Sequence, residues 1–131
     1  MGILSETRVE AVMATPVETI ASNATAREAA VVMRDHDINA LLVPGVDAGI
    51  FTSTDLRDAI ADGHDPDRCR VADVMTTPVE SVTTDLRLGE AAAMMTTYGF
   101  NHLPVRDSDG DYVGIVSSTD IKERLAEPSD E

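Results

Sequence analysis

Two stretches of this chain hold a hydroxyl and a carboxylate at one fixed spacing. Gly49-Ile50-Phe51-Thr52-Ser53-Thr54-Asp55 recurs as Gly114-Ile115-Val116-Ser117-Ser118-Thr119-Asp120. The glycine admits a close backbone approach. Two apolar residues then suit a short buried strand, and the polar run that follows suits the start of a helix. Thr54 and Thr119 are expected as the helix N-caps, which would set each Asp in a first helical turn where negative charge is favoured. A hydroxyl and an ionised carboxylate at such a junction have the chemistry to bind a ribose and a phosphate. A capped helix with a dipole-matched Asp is the alternative for one copy, and duplication in register weighs against it.

Other chemistries find little in the sequence. His36, His64 and His102 are scattered, without metal-ligand spacing. There is no Gly-x-Ser-x-Gly, no Walker loop and no paired cysteine. Cys69 stands alone between Arg68 and Arg70, so no intramolecular disulfide forms and no neighbouring base activates the thiol. Asp55 and Asp120 belong to different repeats, so no shared acid–base pair is implied. No catalytic residue, metal or cofactor is expected.

The elements that position the two motifs are themselves duplicated. Val9-Glu10-Ala11-Val12-Met13-Ala14-Thr15-Pro16-Val17 matches Val71-Ala72-Asp73-Val74-Met75-Thr76-Thr77-Pro78-Val79, about 62 residues further on. Each copy predicts one helical turn ended by its proline. Short strands are then expected over Val17–Ile20 and Val79–Val82, from alternation. Thr25-Ala26-Arg27-Glu28 has the form of a capping box. The helix after it sets Ala26, Ala29, Ala30 and Met33 on one face, and Leu88, Ala91, Ala92 and Met95 share that spacing. Arg87 replaces Thr25 in the second copy and predicts a weaker start. These helices should end near Asn39 and Asn101. Leu41-Leu42-Val43 and Leu103-Pro104-Val105 read as buried strands, each with a turn before the Gly-to-Asp motif. Closing helices are expected over about 54–62 and 119–125, with Gly63 ending the first. Each half therefore reads strand, helix, strand, strand, helix. Sixty or so residues bury too little alone, so the halves should pack as one α/β body with clefts between the repeats.

Composition narrows the partners. The 131 residues carry a formal net charge of -14, are 43% hydrophobic and only 3% aromatic. Phosphate polymers and anionic membranes would be repelled. No apolar run reaches the length of a membrane span and no secretion signal is evident, so a cytoplasmic location is expected. Lys122 is the only lysine. Acid excess with scarce lysine fits a high-salt cytoplasm, and ordinary acidic surface design fits as well.

In order and in duplicate, Val-x-x-Val-Met-x-x-Pro-Val, Leu-Pro-Val at 103–105 and the Gly-to-Asp motif resemble the cystathionine-β-synthase (CBS) domain family in its tandem pair. The resemblance implies a first repeat over 8–63, a linker over 64–70, a second repeat over 71–125 and an acidic tail over 126–131. The fold implied is α/β, two β-α-β-β-α repeats about a pseudo-twofold axis. The function implied is a regulatory module, not an enzyme, that binds AMP, ADP, ATP or S-adenosylmethionine. In the family the motif Asp holds ribose hydroxyls and the motif Thr or Ser lies near phosphate. Carried over by position, one cleft pairs Thr52 and Asp55 with Thr77, Pro78, Val79, Asn101, His102 and Leu103. The other pairs Ser117 and Asp120 with Thr15, Pro16, Val17, Asn39, Ala40 and Leu41. This grouping gives the Asp55 cleft His102, a cation once protonated, and is expected to make that cleft the stronger phosphate binder. Arg57 and Lys122 are either phosphate partners or solvated surface charge. The first repeat departs from the family pattern at Leu42 and Pro44 and has the shorter turn. Tandem pairs of the family commonly form two-chain discs, so a homodimer through the helices is expected, signalling to an effector protein. The competing reading is a dimerisation scaffold that binds no nucleotide.

Overall fold

The computed structural model describes residues 6–126. It holds, in chain order, a 3-10 turn Val9–Ala11, α1 Ala26–His36, β1 Ala40–Val43, β2 Gly49–Thr52, α2 Ser53–Ala61, α3 Val71–Val74, β3 Val82–Thr83, α4 Leu88–Tyr98, β4 His102–Arg106, β5 Tyr112–Ser117 and α5 Ser118–Ala126. Residues 1–5 and all of the expected acidic tail but Ala126 lie outside the described residues.

The chain divides into two compact units that do not follow the sequence repeats. One holds Glu18–Val79, and the other joins the chain up to Val17 with the chain from Glu80 onward. Each repeat therefore gives its opening turn and Thr-Pro-Val segment to the unit built from the rest of the other repeat. They are called here the Asp55 unit and the Asp120 unit.

In the Asp55 unit β1 and β2 form an antiparallel hairpin, with Ala40 opposite Thr52 and Val43 opposite Gly49. Both strands are nearly all apolar and three of the four β1 residues are fully covered, as expected of short strands enclosed on both faces. The expected strand over Val17–Ile20 shrinks to a single parallel bridge, Thr19 beside Leu42. α1 lays Ala26, Ala29 and Met33 against Leu41, Val43, Phe51 and Val71 to make the core. The capping box is present: the Thr25 hydroxyl accepts from the Glu28 N–H at 3.1 Å, and Glu28 accepts from the Thr25 N–H at 2.9 Å. α1 ends earlier than Asn39, at Asp37 in a left-handed conformation with φ 52°. The linker is no loose tether. The carbonyls of Pro66 and Cys69 accept from Arg27 and Ala26 at the start of α1, and Cys69 is buried.

The Asp120 unit repeats this plan with a three-stranded sheet in the order β3-β4-β5. β3 runs parallel to β4, pairing Val82 with Val105, and is shorter than the Val79–Val82 strand expected. The pairing here lies one residue later than in the Asp55 unit, for a chemical reason. Leu42 donates its N–H to the Glu18 carbonyl at 2.9 Å, while Pro104 in the same place has no N–H to give. β4 and β5 are antiparallel, with His102 opposite Ser117 and a bulge at Val105/Arg106 before the longer turn. Leu88, Ala91 and Met95 of α4 pack on Leu103, Val105, Val116 and Ile121 with Val9. As Arg87 predicts, α4 starts without a side-chain cap. Its first N–H goes instead to the Thr7 carbonyl at 3.0 Å. It stops at Gly99, φ 74°, two residues before Asn101.

Candidate functional site

Each unit brings its own Gly-to-Asp motif to the junction between a strand and a closing helix. Both glycines are forced by contact. A Cβ on Gly49 would lie 2.9 Å from the Thr76 carbonyl oxygen and from Met75 Sδ, and one on Gly114 would lie 2.8 Å from the Ala14 carbonyl oxygen and Met13 Sδ. The opening segments lie so close because they pair with the strands. Ile50 and Thr76 exchange two backbone hydrogen bonds of 2.9 Å, and Ala14 and Ile115 exchange bonds of 2.9 and 3.2 Å.

The helix caps lie two residues earlier than the sequence suggests. Thr52, not Thr54, caps α2: its hydroxyl accepts from the Asp55 N–H at 3.2 Å, and Asp55 Oδ2 accepts from the Thr52 N–H at 2.9 Å. Ser117, not Thr119, does the same for Asp120, with both distances 3.0 Å. The reason lies in the three-residue spacing of hydroxyl and carboxylate, which satisfies two orphan donors reciprocally. Thr54 and Thr119 sit inside the first turn. The motif is thus a capping box in both units, and one carboxylate oxygen of each Asp is committed to the backbone. The other oxygen, Oδ1, is left for a further donor, and both carboxylates are half-buried.

The hairpin register gives the remaining expected residues their neighbours within each unit. Asn39, Ala40 and Leu41 stand beside Thr52 within the Asp55 unit: Ala40 is the register partner of Thr52, and the Asn39 carbonyl accepts from the Ser53 N–H at 3.0 Å. Asn101, His102 and Leu103 stand beside Ser117 within the Asp120 unit, where the Asn101 carbonyl accepts from Ser118 at 2.9 Å. The hairpin register fixes this, because the residue opening one strand must face the residue closing its neighbour. His102 therefore stands in the same unit as Asp120. Thr77, Pro78 and Val79 do join the Asp55 unit, and Thr15, Pro16 and Val17 the Asp120 unit. Both Thr–Pro bonds are cis. Leu41 and Leu103 are fully buried in their cores, while Val17 and Val79 are half-buried and offer apolar surface. The Thr77 hydroxyl is turned to the Asp47 and Ala48 carbonyls, each at 3.2 Å. Arg57 is bonded to its neighbour Asp58 at 3.0 Å on an exposed surface.

Sequence reasoning passed over Thr76. Its hydroxyl points at the second oxygen of Asp55, Oδ1, at 3.4 Å. The mismatch of Thr76 with Ala14 in otherwise parallel copies was the available signal. Among the described residues no group of three or more His, Cys, Asp or Glu is placed to hold a metal, and no helix is long and apolar enough to cross a membrane.

With this geometry, the family model of the CBS domain matches residues 9–62 and again 71–127. The chain belongs to the CBS domain family. It is a tandem pair of α/β CBS repeats. A relative from Methanopyrus kandleri is 35% identical over 101 residues, covering 74% of this chain and 52% of its own length. This chain thus spans about half of that relative. A CBS domain-containing protein, YhcV, from Bacillus subtilis is 33% identical over 86% of this chain and 81% of its own. Among solved structures, the CBS domain pair of protein MJ0100 in complex with 5'-methylthioadenosine and S-adenosyl-L-methionine superposes with a TM-score of 0.79 at 30% identity, covering 91% of this chain and 95% of that one.

Proposed function

We propose that this CBS pair is a regulatory module that senses an adenosine-containing compound, with AMP, ADP, ATP and S-adenosylmethionine as the candidates, and performs no catalysis of its own. The observation that carries the reading is the duplicated carboxylate. Asp55 and Asp120 each spend Oδ2 on a backbone N–H, and each carboxylate keeps lone pairs for a ligand, Asp55 even with the Thr76 hydroxyl on its Oδ1. A ribose presents two adjacent hydroxyl donors, and an ionised carboxylate accepts both. The half-buried Val79 and Val17 offer apolar surface to a base. The two compounds bound by the MJ0100 pair share the adenosine moiety, which supports the same class here. The site residues are Thr52, Asp55, Thr77, Pro78, Val79 and Asn39 to Leu41 around one motif. Around the other they are Ser117, Asp120, Thr15, Pro16, Val17 and Asn101 to Leu103. Titration calorimetry in molar KCl should give saturable heat with at least one of AMP, ATP, S-adenosylmethionine and 5'-methylthioadenosine. No heat with any of the four at millimolar concentration overturns the reading in favour of a scaffold.

The chain acts as a homodimer joined through helix faces and passes its signal to an effector protein. Val31 on α1 and Ile60 on α2 support this, since they are 38% and 54% exposed on helices of the same unit. Light scattering at tens of micromolar should give twice the 14.0 kDa of one chain. A single-chain mass there refutes the dimer.

A further inference from the structure

The two carboxylates differ in what meets their second oxygen. Thr76 is locked to Ile50 by two backbone hydrogen bonds, so its side chain has a fixed origin, and from there the hydroxyl reaches Asp55 Oδ1 across 3.4 Å. The same backbone pairing in the other unit sets Ala14 opposite Ile115, and a methyl group stands where the hydroxyl would be. Asp55 is therefore met at both oxygens, by the Thr52 N–H on Oδ2 and the Thr76 hydroxyl on Oδ1. Asp120 is met on Oδ2 by the Ser117 N–H.

We propose that Thr76 is a positioning residue that makes the Asp55 half-site the more selective of the two for an intact vicinal diol. The inference rests on the adenosine reading above. A carboxylate offers about four lone-pair positions over its two oxygens. With Thr52 and Thr76 each taking one, Asp55 keeps one position on each oxygen and its plane is held. Two adjacent hydroxyls fit that arrangement, one to each oxygen. A ligand lacking one of them leaves an oriented acceptor unmet, and sites built around a hydroxyl reject the analogue without it. The long Thr76 contact also leaves its hydroxyl able to turn and accept from the ligand. Asp120, whose described contact is on Oδ2, is less constrained in its plane and loses less with a ligand that lacks one hydroxyl.

The test is calorimetry with adenosine and 2'-deoxyadenosine on the wild-type chain and on Thr76→Ser, Thr76→Ala and Ala14→Thr. Both positions are exposed, and Ser or Ala at 76 leaves the backbone pairing in place. The reading is the ratio of the two dissociation constants in each binding class. Thr76→Ala should lower the deoxy-to-ribo ratio of the more selective class about 3- to 10-fold, Thr76→Ser should keep it, and Ala14→Thr should raise the ratio of the other class. A residue of purely structural role would shift melting temperature and leave these ratios alone. Adenosine binding with ratios unmoved by Thr76→Ala and Ala14→Thr overturns this inference while sparing the adenosine reading. A wild-type chain that binds neither nucleoside nor any of the four compounds above overturns both.

Discussion

The strand ends at Thr52 and Ser117 share one capping geometry and carry different equipment. In the Asp55 unit the hairpin partner of the capping residue is Ala40, and a second hydroxyl from Thr76 reaches the carboxylate. In the Asp120 unit the partner is His102, and the place of Thr76 is taken by Ala14. The shared part is what the fold needs: a helix start whose orphan N–H groups are met, and a glycine that lets the opening segment lie on the strand. The unshared part lies on exposed or half-exposed positions, where folding sets few demands and recognition is free to vary.

The shared part should be the most costly to disturb. Gly49→Ala and Gly114→Ala each push a Cβ to within 2.9 and 2.8 Å of a backbone oxygen, which cannot move aside as a flexible side chain would. Overpacking of this kind costs about 1–3 kcal/mol, and loss of the adjoining backbone pair should take both variants to the upper end. Chemical denaturation should show two similar losses. If one variant is near wild-type stability, the two opening segments are not equivalent and the comparison fails at its base.

The unshared part should appear in ligand discrimination. Because His102 lies with Asp120, Asp120→Asn should weaken AMP binding more than Asp55→Asn does, the reverse of the order expected from sequence. A hydrogen bond to a charged group contributes about 1.5–3 kcal/mol, which sets the scale of the larger loss. His102→Ala should weaken AMP more than adenosine, since only AMP carries a phosphate. Calorimetry on the three variants decides it, and a larger AMP loss at Asp55 would assign the His102 imidazole to that motif.

Much of this was legible in the sequence, for reasons that differ by residue. The repeats, the two hairpins, the Thr25 capping box and the closing helices follow from local patterns, and local patterns survive folding. Gly49 and Gly114 could be read as points of close approach because few other demands place glycine inside a strand. The cap was displaced from Thr54 to Thr52 because three hydroxyl-bearing residues stand in a row, and only the three-residue spacing to Asp55 selects among them. The pairing of His102 with Ser117 was not legible, because it depends on hairpin register, which short apolar strands leave open. The burial of Leu41 and Leu103 follows from their place inside short apolar strands, where a leucine has the core as its first neighbour.

The smallest expected effect concerns how the two long helices start. α1 has the Thr25–Glu28 box, and α4 begins at Arg87 with no side-chain cap. Thr25→Ala should therefore cost about 1 kcal/mol, and Arg87→Ala almost nothing, while Arg87→Ser should gain several tenths by supplying the missing oxygen. The box also carries a pH signature. Hydrogen bonds from the Thr25 backbone and then its side chain hold the Glu28 carboxyl below its ordinary value. A carboxyl whose pKa is lower in the folded than in the unfolded chain contributes stability that is fully present above the unfolded value. That contribution is lost as pH falls through the folded one. The stability gap between wild type and Thr25→Ala should be constant at neutral pH and narrow below the usual carboxylate range. Arg87→Ala should show no such narrowing. Urea melts of both variants at neutral and acid pH give the answer, and a gap at Thr25 that is unchanged in acid would mean that the hydroxyl alone, without Glu28, holds the start of α1.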